Sequence, residues 1–364
     1  MTGPCPDSRL QAAPAGASGG VGALCKREGI YTEPADMFAD AIRSCGDGIN
    51  PGGTAQMNNN RAFQRHVFRT ILFMAAAACS LQMACLAAPM EKQQPVPADT
   101  ARAIINNPTL KVMLLNLAHG RKDGLNQLLK SAATIRRNLE EIARVLDERG
   151  ADIVALQEAD APSFWSGGFD HVALLAEQAG YPFFESSNQA NSWFFSYGTA
   201  LLSRATLSGV VHHTFMPTPP TMNKGYTLGQ VVWQAGRAEP VLVDIVSVHL
   251  DFSRKQVREQ QSAELSETLA GRGNPIIIMG DFNSDWSADE QVVRALAERA
   301  DLHVYRAEAE DLATYSDTKR YDWILVSKQL EFVSFEVLPD ILSDHFAVVA
   351  EIAMQPSAMS SGAL

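Results

Sequence analysis

From Leu110 onward the chain alternates short apolar runs with amphipathic segments, and the residues able to bind a cation or move a proton gather at the ends of the apolar runs. Runs this short read as buried strands, and the longer segments with apolar residues at helical spacing read as surface helices. Strands are predicted at Lys111–Leu117, Ile153–Leu156, Thr199–Ser203, Val231–Gln234, Val241–Leu250, Ile276–Met279, Trp323–Val326, Glu331–Leu338 and Phe346–Ile352. Helices are predicted at Leu125–Arg149, Val172–Ala179 and Arg254–Ala270. In the first of these, Ile135, Leu139, Ile142 and Leu146 share a face, and Gly150 supplies a left-handed stop. No internal repeat interrupts residues 108–354, which read as one domain.

The strand ends carry Asn116, Glu158, His249, Asp251, Asp281, Asn283, Asp322, Asp344 and His345. Rigid strand ends that solvent can still reach are where chemistry collects. The donors are oxygens and imidazoles, with no thiol. Cys5, Cys25, Cys45, Cys79 and Cys85 all precede this region, which excludes a cysteine-ligated zinc or a disulfide framework in the main body. Hard oxygen donors select Mg2+, with Mn2+ or Ca2+ as alternatives. A Ca2+ loop of the EF-hand kind starting at Asp281 fails, because Trp286 stands where glycine is needed and Val292 where glutamate is needed.

The formal charge of −11, from 30 basic and 41 acidic residues, argues against binding nucleic acid by bulk electrostatics. It does not oppose phosphate chemistry, since a bound divalent ion reverses the local field. Glu158, with Asn116 beside it, suits one such ion. Hydrolysis of a phosphate ester also needs a base and stabilisation of developing charge. His345 is the expected base, oriented by a carboxylate from another strand, for which Asp322 is the natural candidate. Asp281 and Asn283 point to one side of an extended segment and suit the attacking water and a phosphate oxygen. His249 is expected to donate to the phosphate. His119, His171, His212 and His213 receive no role.

Seven segments occur in order: Leu115-Asn116-Leu117, Leu156-Gln157-Glu158, Gly198 to Arg204, Val248-His249-Leu250, Gly280-Asp281-Phe282-Asn283, Tyr321-Asp322-Trp323-Ile324 and Ser343-Asp344-His345. Together they closely resemble the endonuclease/exonuclease/phosphatase (deoxyribonuclease-I-like) superfamily. The resemblance implies an α+β fold, a four-layer αββα sandwich of two mixed β-sheets flanked by helices, with a metal-dependent phosphoesterase site where the sheets open. By position it implies Glu158 as the principal metal ligand with Asn116 as its companion and Asp344 as a further metal-proximal acid. It implies His249, Asp281, Asn283, Asp322 and His345 as catalytic residues.

The loops bear on the substrate. Thr214–Gly229 carries Lys224 as its one basic residue, and Ala159–Asp170 carries none. Trp193, Phe194 and Phe195, with Trp165 and Phe169, offer rings to a base or a lipid surface. Arg254, Lys255 and Arg258 open the helix after His249, and Arg254 is a candidate phosphate contact. The preferred reading is a metal-dependent hydrolase of a phosphodiester or phosphomonoester, with a small-molecule or lipid phosphodiesterase preferred and a secreted endo- or exonuclease the alternative. A non-catalytic binding protein on the same fold is the reading from another class. No obligate protein partner is implied, and a monomer is expected.

Residues 1–56, rich in Gly, Pro, Ala and Ser, are expected to be disordered or to follow a start codon placed too early. Residues 57–89 combine Arg61, Arg65 and Arg69 with an apolar run and small residues, the layout of a signal peptide. Cleavage before Cys85 as a lipoprotein and retention as a membrane anchor are the rival readings. All three imply export, to the periplasm or outside the cell. Residues 90–107 are expected to be a linker and 355–364 a disordered tail.

Overall fold

The computed structural model describes residues 103–355, apart from 237–238, 288–290 and 317. The expectations for the leader, for the linker up to residue 102 and for the tail from residue 356 therefore lie outside the described residues. No helix among the described residues is long and apolar enough to cross a membrane.

Among the described residues, thirteen strands form two mixed sheets. The first contains β1 (Leu110–Asn116), β2 (Ile153–Asp160), β3 (Phe183–Ser186), β4 (Ala190–Asn191), β5 (Ser196–Ser203), β12 (Leu330–Val337) and β13 (Val348–Met354). Its order is β12-β13-β1-β2-β5-β3, with β4 also paired to β5. The second contains β6 (Ser208–Thr214), β7 (Gly225–Trp233), β8 (Val241–His249), β9 (Ile276–Asp281), β10 (Leu302–Val304) and β11 (Asp322–Ser327), in the order β10-β11-β9-β8-β7-β6. Each sheet has one parallel pair, β1 with β2 and β8 with β9. Each parallel pair needs a crossover, supplied by α1 (Ala132–Arg149) and α3 (Lys255–Leu269). The shorter α2 (His171–Gln178) and α4 (Val292–Arg299) lie beside them.

Strand alternation builds the layers. Val112 and Leu114 of β1 face the other sheet, where they pack with Ile245, Ile277 and Ile324. Met113 and Leu115 face the opposite way and meet Ile135, Leu139 and Leu146 of α1. On the far side, Val246, Val248 and Ile278 pack against Leu265 of α3 and Leu296 of α4. Three apolar clusters between four layers give the expected αββα sandwich.

Boundaries differ in physically telling ways. The helix predicted from Leu125 begins at Ala132, where Ser131 accepts a hydrogen bond from the Thr134 amide as N-cap. Leu125, Leu128 and Leu129, at 78, 53 and 76 % exposure, remain on the surface outside it. The expected linker ends too late: Ile105 is buried, bridges Trp233, and belongs to the inter-sheet core. The segment Thr214–Gly229 is not wholly loop, because β7 starts at Gly225.

The two parallel strands nearest the site approach so closely at one point that only glycine fits. A Cβ on Gly280 would lie 2.1 Å from the backbone oxygen of Val248, its register partner in β8. The Gly280→Ala substitution should therefore destabilise by about 1–3 kcal/mol through overpacking, read as a lower urea midpoint. An unchanged midpoint would show that β8 and β9 are free to separate there.

Candidate active site

Register brings the site together. At the carboxyl ends of the parallel pairs, Asn116 lies opposite Gln157 and His249 opposite Asp281. Asp322 opens β11 directly across from Asp281, and His345 is bridged to Tyr315 just before β13. Glu158 sits at an irregularity in the β2–β5 pairing with φ of 48°. Such bulges re-aim a side chain, and here the Glu158 carboxylate stays 20 % exposed while both neighbours are buried.

An unbroken arc of contacts then runs across both sheets. Asp322 Oδ2 is 2.8 Å from His345 Nδ1, and His345 Nε2 is 3.8 Å from Asp281 Oδ2. The same Asp281 oxygen accepts from Asn116 Nδ2 at 2.9 Å and lies 3.4 Å from His249 Nε2. Lys224 Nζ donates to His249 Nε2 at 2.9 Å and reaches within 4.0 Å of Glu158 Oε1. Glu158 Oε2 faces His119 Nε2 at 3.3 Å, and His119 Nδ1 meets Asp160 Oδ2 at 2.7 Å. Asn283, at φ of 49°, donates from its amide to Asp281 Oδ1 and from Nδ2 to the Leu250 carbonyl.

Burial and charge set the protonation states of the arc. Burial opposes charging His345, but the Asp322 and Asp281 carboxylates outweigh it and push the ring up to about 10. Burial and the Asp322 charge push the Asp281 carboxyl up to about 7, against the pull of His345 and Lys224. His249 is driven well below its ordinary value by burial and then by the Lys224 ammonium, so its ring is neutral. Burial pulls Lys224 down while Glu158, Asp281 and Asp251 hold it up. A buried acid and a buried imidazole moved apart in this way mark acid–base machinery.

The expected residues Asn116, Glu158, His249, Asp281, Asn283, Asp322 and His345 thus share one cleft. Others are placed differently from expectation. The Asp344 carboxylate, expected beside the metal, pairs with the Arg121 guanidinium at 2.6 Å. Arg254 does not face the cleft as a phosphate contact. Its guanidinium is taken up by the Thr218 and Pro219 carbonyls, the Thr221 hydroxyl and Asp251, which tether the loop before β7. Trp193 is 91 % exposed and rests on Phe194, which in turn packs on Phe164 and lies near Trp165.

Several site residues escaped the sequence reading. His119 follows Asn116 by three positions and received no role from the sequence. Its ring packs between Trp165 and Tyr197, with centroids at 4.8 and 4.7 Å. Asp160 is fully buried and also accepts from Trp165 Nε1 and Ser166 Oγ. Lys224 was noted as a loop cation, yet it is buried against His249. The usable signal was their position within a few residues of a strand end.

The residues present suit a divalent cation. Asp281, Asp322 and His345 offer ligand atoms within 4.8 Å of one another, and Asp322 Oδ1 is buried without a hydrogen-bond partner. A buried carboxylate oxygen left bare is costly unless something positive meets it.

Fold and site together define a metal-dependent phosphoesterase of the sandwich type. The chain belongs to the Endonuclease/Exonuclease/phosphatase family, which it matches over residues 113–345. A family protein from Leptotrichia buccalis C-1013-b is similar at 18 % identity and a TM-score of 0.54, over 67 % of this chain and all 100 % of the other. The endonuclease/exonuclease/phosphatase of Beutenbergia cavernae DSM 12333 is similar at 18 % identity and TM-score 0.54, over 68 and 72 %. The human Nocturnin catalytic domain with bound sulfate anion is similar at 18 % identity and TM-score 0.52, over 70 and 98 %. At these identities the likeness is one of fold.

The His345 value yields a test in the metal-free protein. Because it is raised from 6.5 to about 10, its stabilising contribution is complete below pH 6.5 and is lost as pH rises through 10. Asp322→Asn removes the first of the carboxylates that hold it up, so the His345 titration followed by NMR should fall by about one pH unit or more. An unmoved titration would remove Asp322 as the ring's partner.

Proposed function

We propose that the protein hydrolyses a phosphodiester of a small molecule or lipid headgroup, with a divalent cation, outside the cytoplasm. The observation that carries the chemistry is the contact arc from Asp322 through Asp281 and His249 to Glu158, which gathers acid, base and cation-binding groups at one cleft.

Glu158, with Asn116 at the end of the neighbouring strand β1, would hold the ion. When bound, it supplies positive charge against the phosphate oxygens. The protein's own groups then divide the proton work by their environments. Asp281, poised at about 7, accepts the proton of the attacking water as the new P–O bond forms. Asn283 holds that water or a phosphate oxygen. His345 was the expected base, but between two carboxylates its ring keeps its proton at neutral pH. It therefore serves as a fixed positive donor to the phosphoryl group while the ester P–O bond breaks, with Asp322 holding its orientation. Lys224 adds a second buried positive charge beside the neutral His249.

The preference for a small or lipidic ester is supported by the rim. Leu125, Leu128, Leu129, Phe164 and Trp193 are all more than half exposed, and the Phe164-bearing turn adjoins Trp165 and His119. The nearby cations are largely engaged: Arg121 with Asp344, Lys122 with Glu141, and Arg254 with its own loop. The exposed rings would also stack on bases, which keeps the nuclease reading as the alternative.

Hydrolysis of bis-p-nitrophenyl phosphate should need added Mg2+ or Mn2+, stop with chelator, and accelerate as pH rises through about 7. His345→Ala should lower kcat by about 10²-fold or more, and Glu158→Gln should raise the metal concentration required. Turnover indifferent to chelator, or unaffected by the His345 change, would overturn the reading. A panel of sphingomyelin, inositol phosphates, RNA and plasmid DNA decides the substrate class, and preferential DNA or RNA cleavage would transfer the assignment to the nuclease. Export is checked by fractionating cells that express the full chain, and a purely cytoplasmic protein would refute it.

A further inference from the structure

The cation site has an imidazole at its edge that the mechanism above does not use. His119 Nδ1 is held at 2.7 Å by Asp160 Oδ2. Asp160 is itself completely buried, and its other oxygen is occupied by Trp165 Nε1 at 2.6 Å and Ser166 Oγ at 2.9 Å. The ring is clamped between Trp165 and Tyr197. With Nδ1 committed to a carboxylate that has no freedom to move, Nε2 is the nitrogen left to act, and it faces Glu158 Oε2 at 3.3 Å.

A metal-binding imidazole usually donates its far N–H to a carboxylate, as His119 does to Asp160, and its near nitrogen here faces the Glu158 carboxylate. Two donors bound side by side to an octahedral ion at ~2.1 Å lie about 3 Å apart. The 3.3 Å between His119 Nε2 and Glu158 Oε2 is close to that spacing. The backbone also holds both residues in an uncommon conformation, with φ of 55° at His119 and 48° at Glu158. Histidine enters that region more readily than most residues, but glutamate seldom does, so at Glu158 the surrounding structure imposes it.

We propose that His119 is a ligand of the divalent ion together with Glu158, making this a mixed imidazole–carboxylate site that favours Mn2+ over Mg2+. Imidazole is a good ligand for the transition metals, whereas Mg2+ prefers oxygen. The inference rests on the metal-dependent reading of the cleft and specifies one protein ligand of that ion.

The test uses the full-length protein loaded with Mn2+ alone and read by pulsed electron paramagnetic resonance. The wild type should show modulation from a directly coordinated 14N. His119→Asn, chosen because asparagine tolerates positive φ, should lose that signal and bind Mn2+ about 10-fold or more weakly. His249→Asn and His345→Asn should each retain the signal. Asp160→Asn keeps His119 but exchanges the carboxylate acceptor for an amide, so it should weaken Mn2+ binding by about 10–100-fold and provides the second arm if His119→Asn does not fold. Bound Mn2+ with no nitrogen modulation, or a signal that persists in His119→Asn, would overturn this inference while leaving metal-dependent hydrolysis standing. A protein that binds no Mn2+ and hydrolyses its ester in the presence of chelator would overturn both.

Discussion

The hydrogen bond from Asn116 Nδ2 to Asp281 Oδ2 joins the two sheets at the end where their shared core stops being apolar. Over most of the interface, aliphatic side chains from both sheets interdigitate. Toward the cleft they give way to Gln157, Ser247, Thr199 and Thr227, whose side chains satisfy one another and nearby carbonyls across the gap. Buried polar groups are tolerated there because nearly all are paired. That polar seam ties together β2, β5, β7 and β8 and holds the strand ends at fixed separation, which a multi-residue site requires.

Charge is arranged along the same seam. Carboxylates and cations alternate from Asp322 through His345, Asp281 and Lys224 to Glu158. An isolated buried charge would be costly, and alternation lets each group stabilise the ionised form of the next. Asp281 is the exception: burial first, and then the repulsion of Asp322, outweigh the helpful cations, and its proton affinity rises accordingly. Four of the ten described non-glycine residues with positive φ lie at this end of the sheets. Ala118, His119, Glu158 and Asn283 all have positive φ, and such positions cluster where function over-determines the backbone.

Much of this was readable in the linear chain. The inter-sheet strands are strongly apolar, so β1, β8, β9 and β11 stand out, and the polar residue at each end is conspicuous against them. The weaker elements were not visible. Strand β6 contains Ser208, Gly209, His212 and His213, lies at a sheet edge and is largely solvated, so it lacks the apolar signature. Strands β3 and β10 and helix α4 are short, and their pairing comes from neighbours already in place. Leu125, Leu128 and Leu129 have helical spacing yet stay outside the helix, because Asn126 and Ser131 cap separate turns.

What the sequence determined unaided was the alternating architecture and the set of oxygen and imidazole donors at strand ends, since periodicity and residue chemistry are local properties. Only the tertiary structure decided which donors face one another. It paired Asp344 with Arg121, turned Arg254 onto its own loop, and brought His119, Asp160 and Lys224 into the cleft. It also kept the proton on His345 and raised Asp281. Those outcomes depend on burial and on distances between residues remote in the chain, and the electrostatic energy of a pair depends on both.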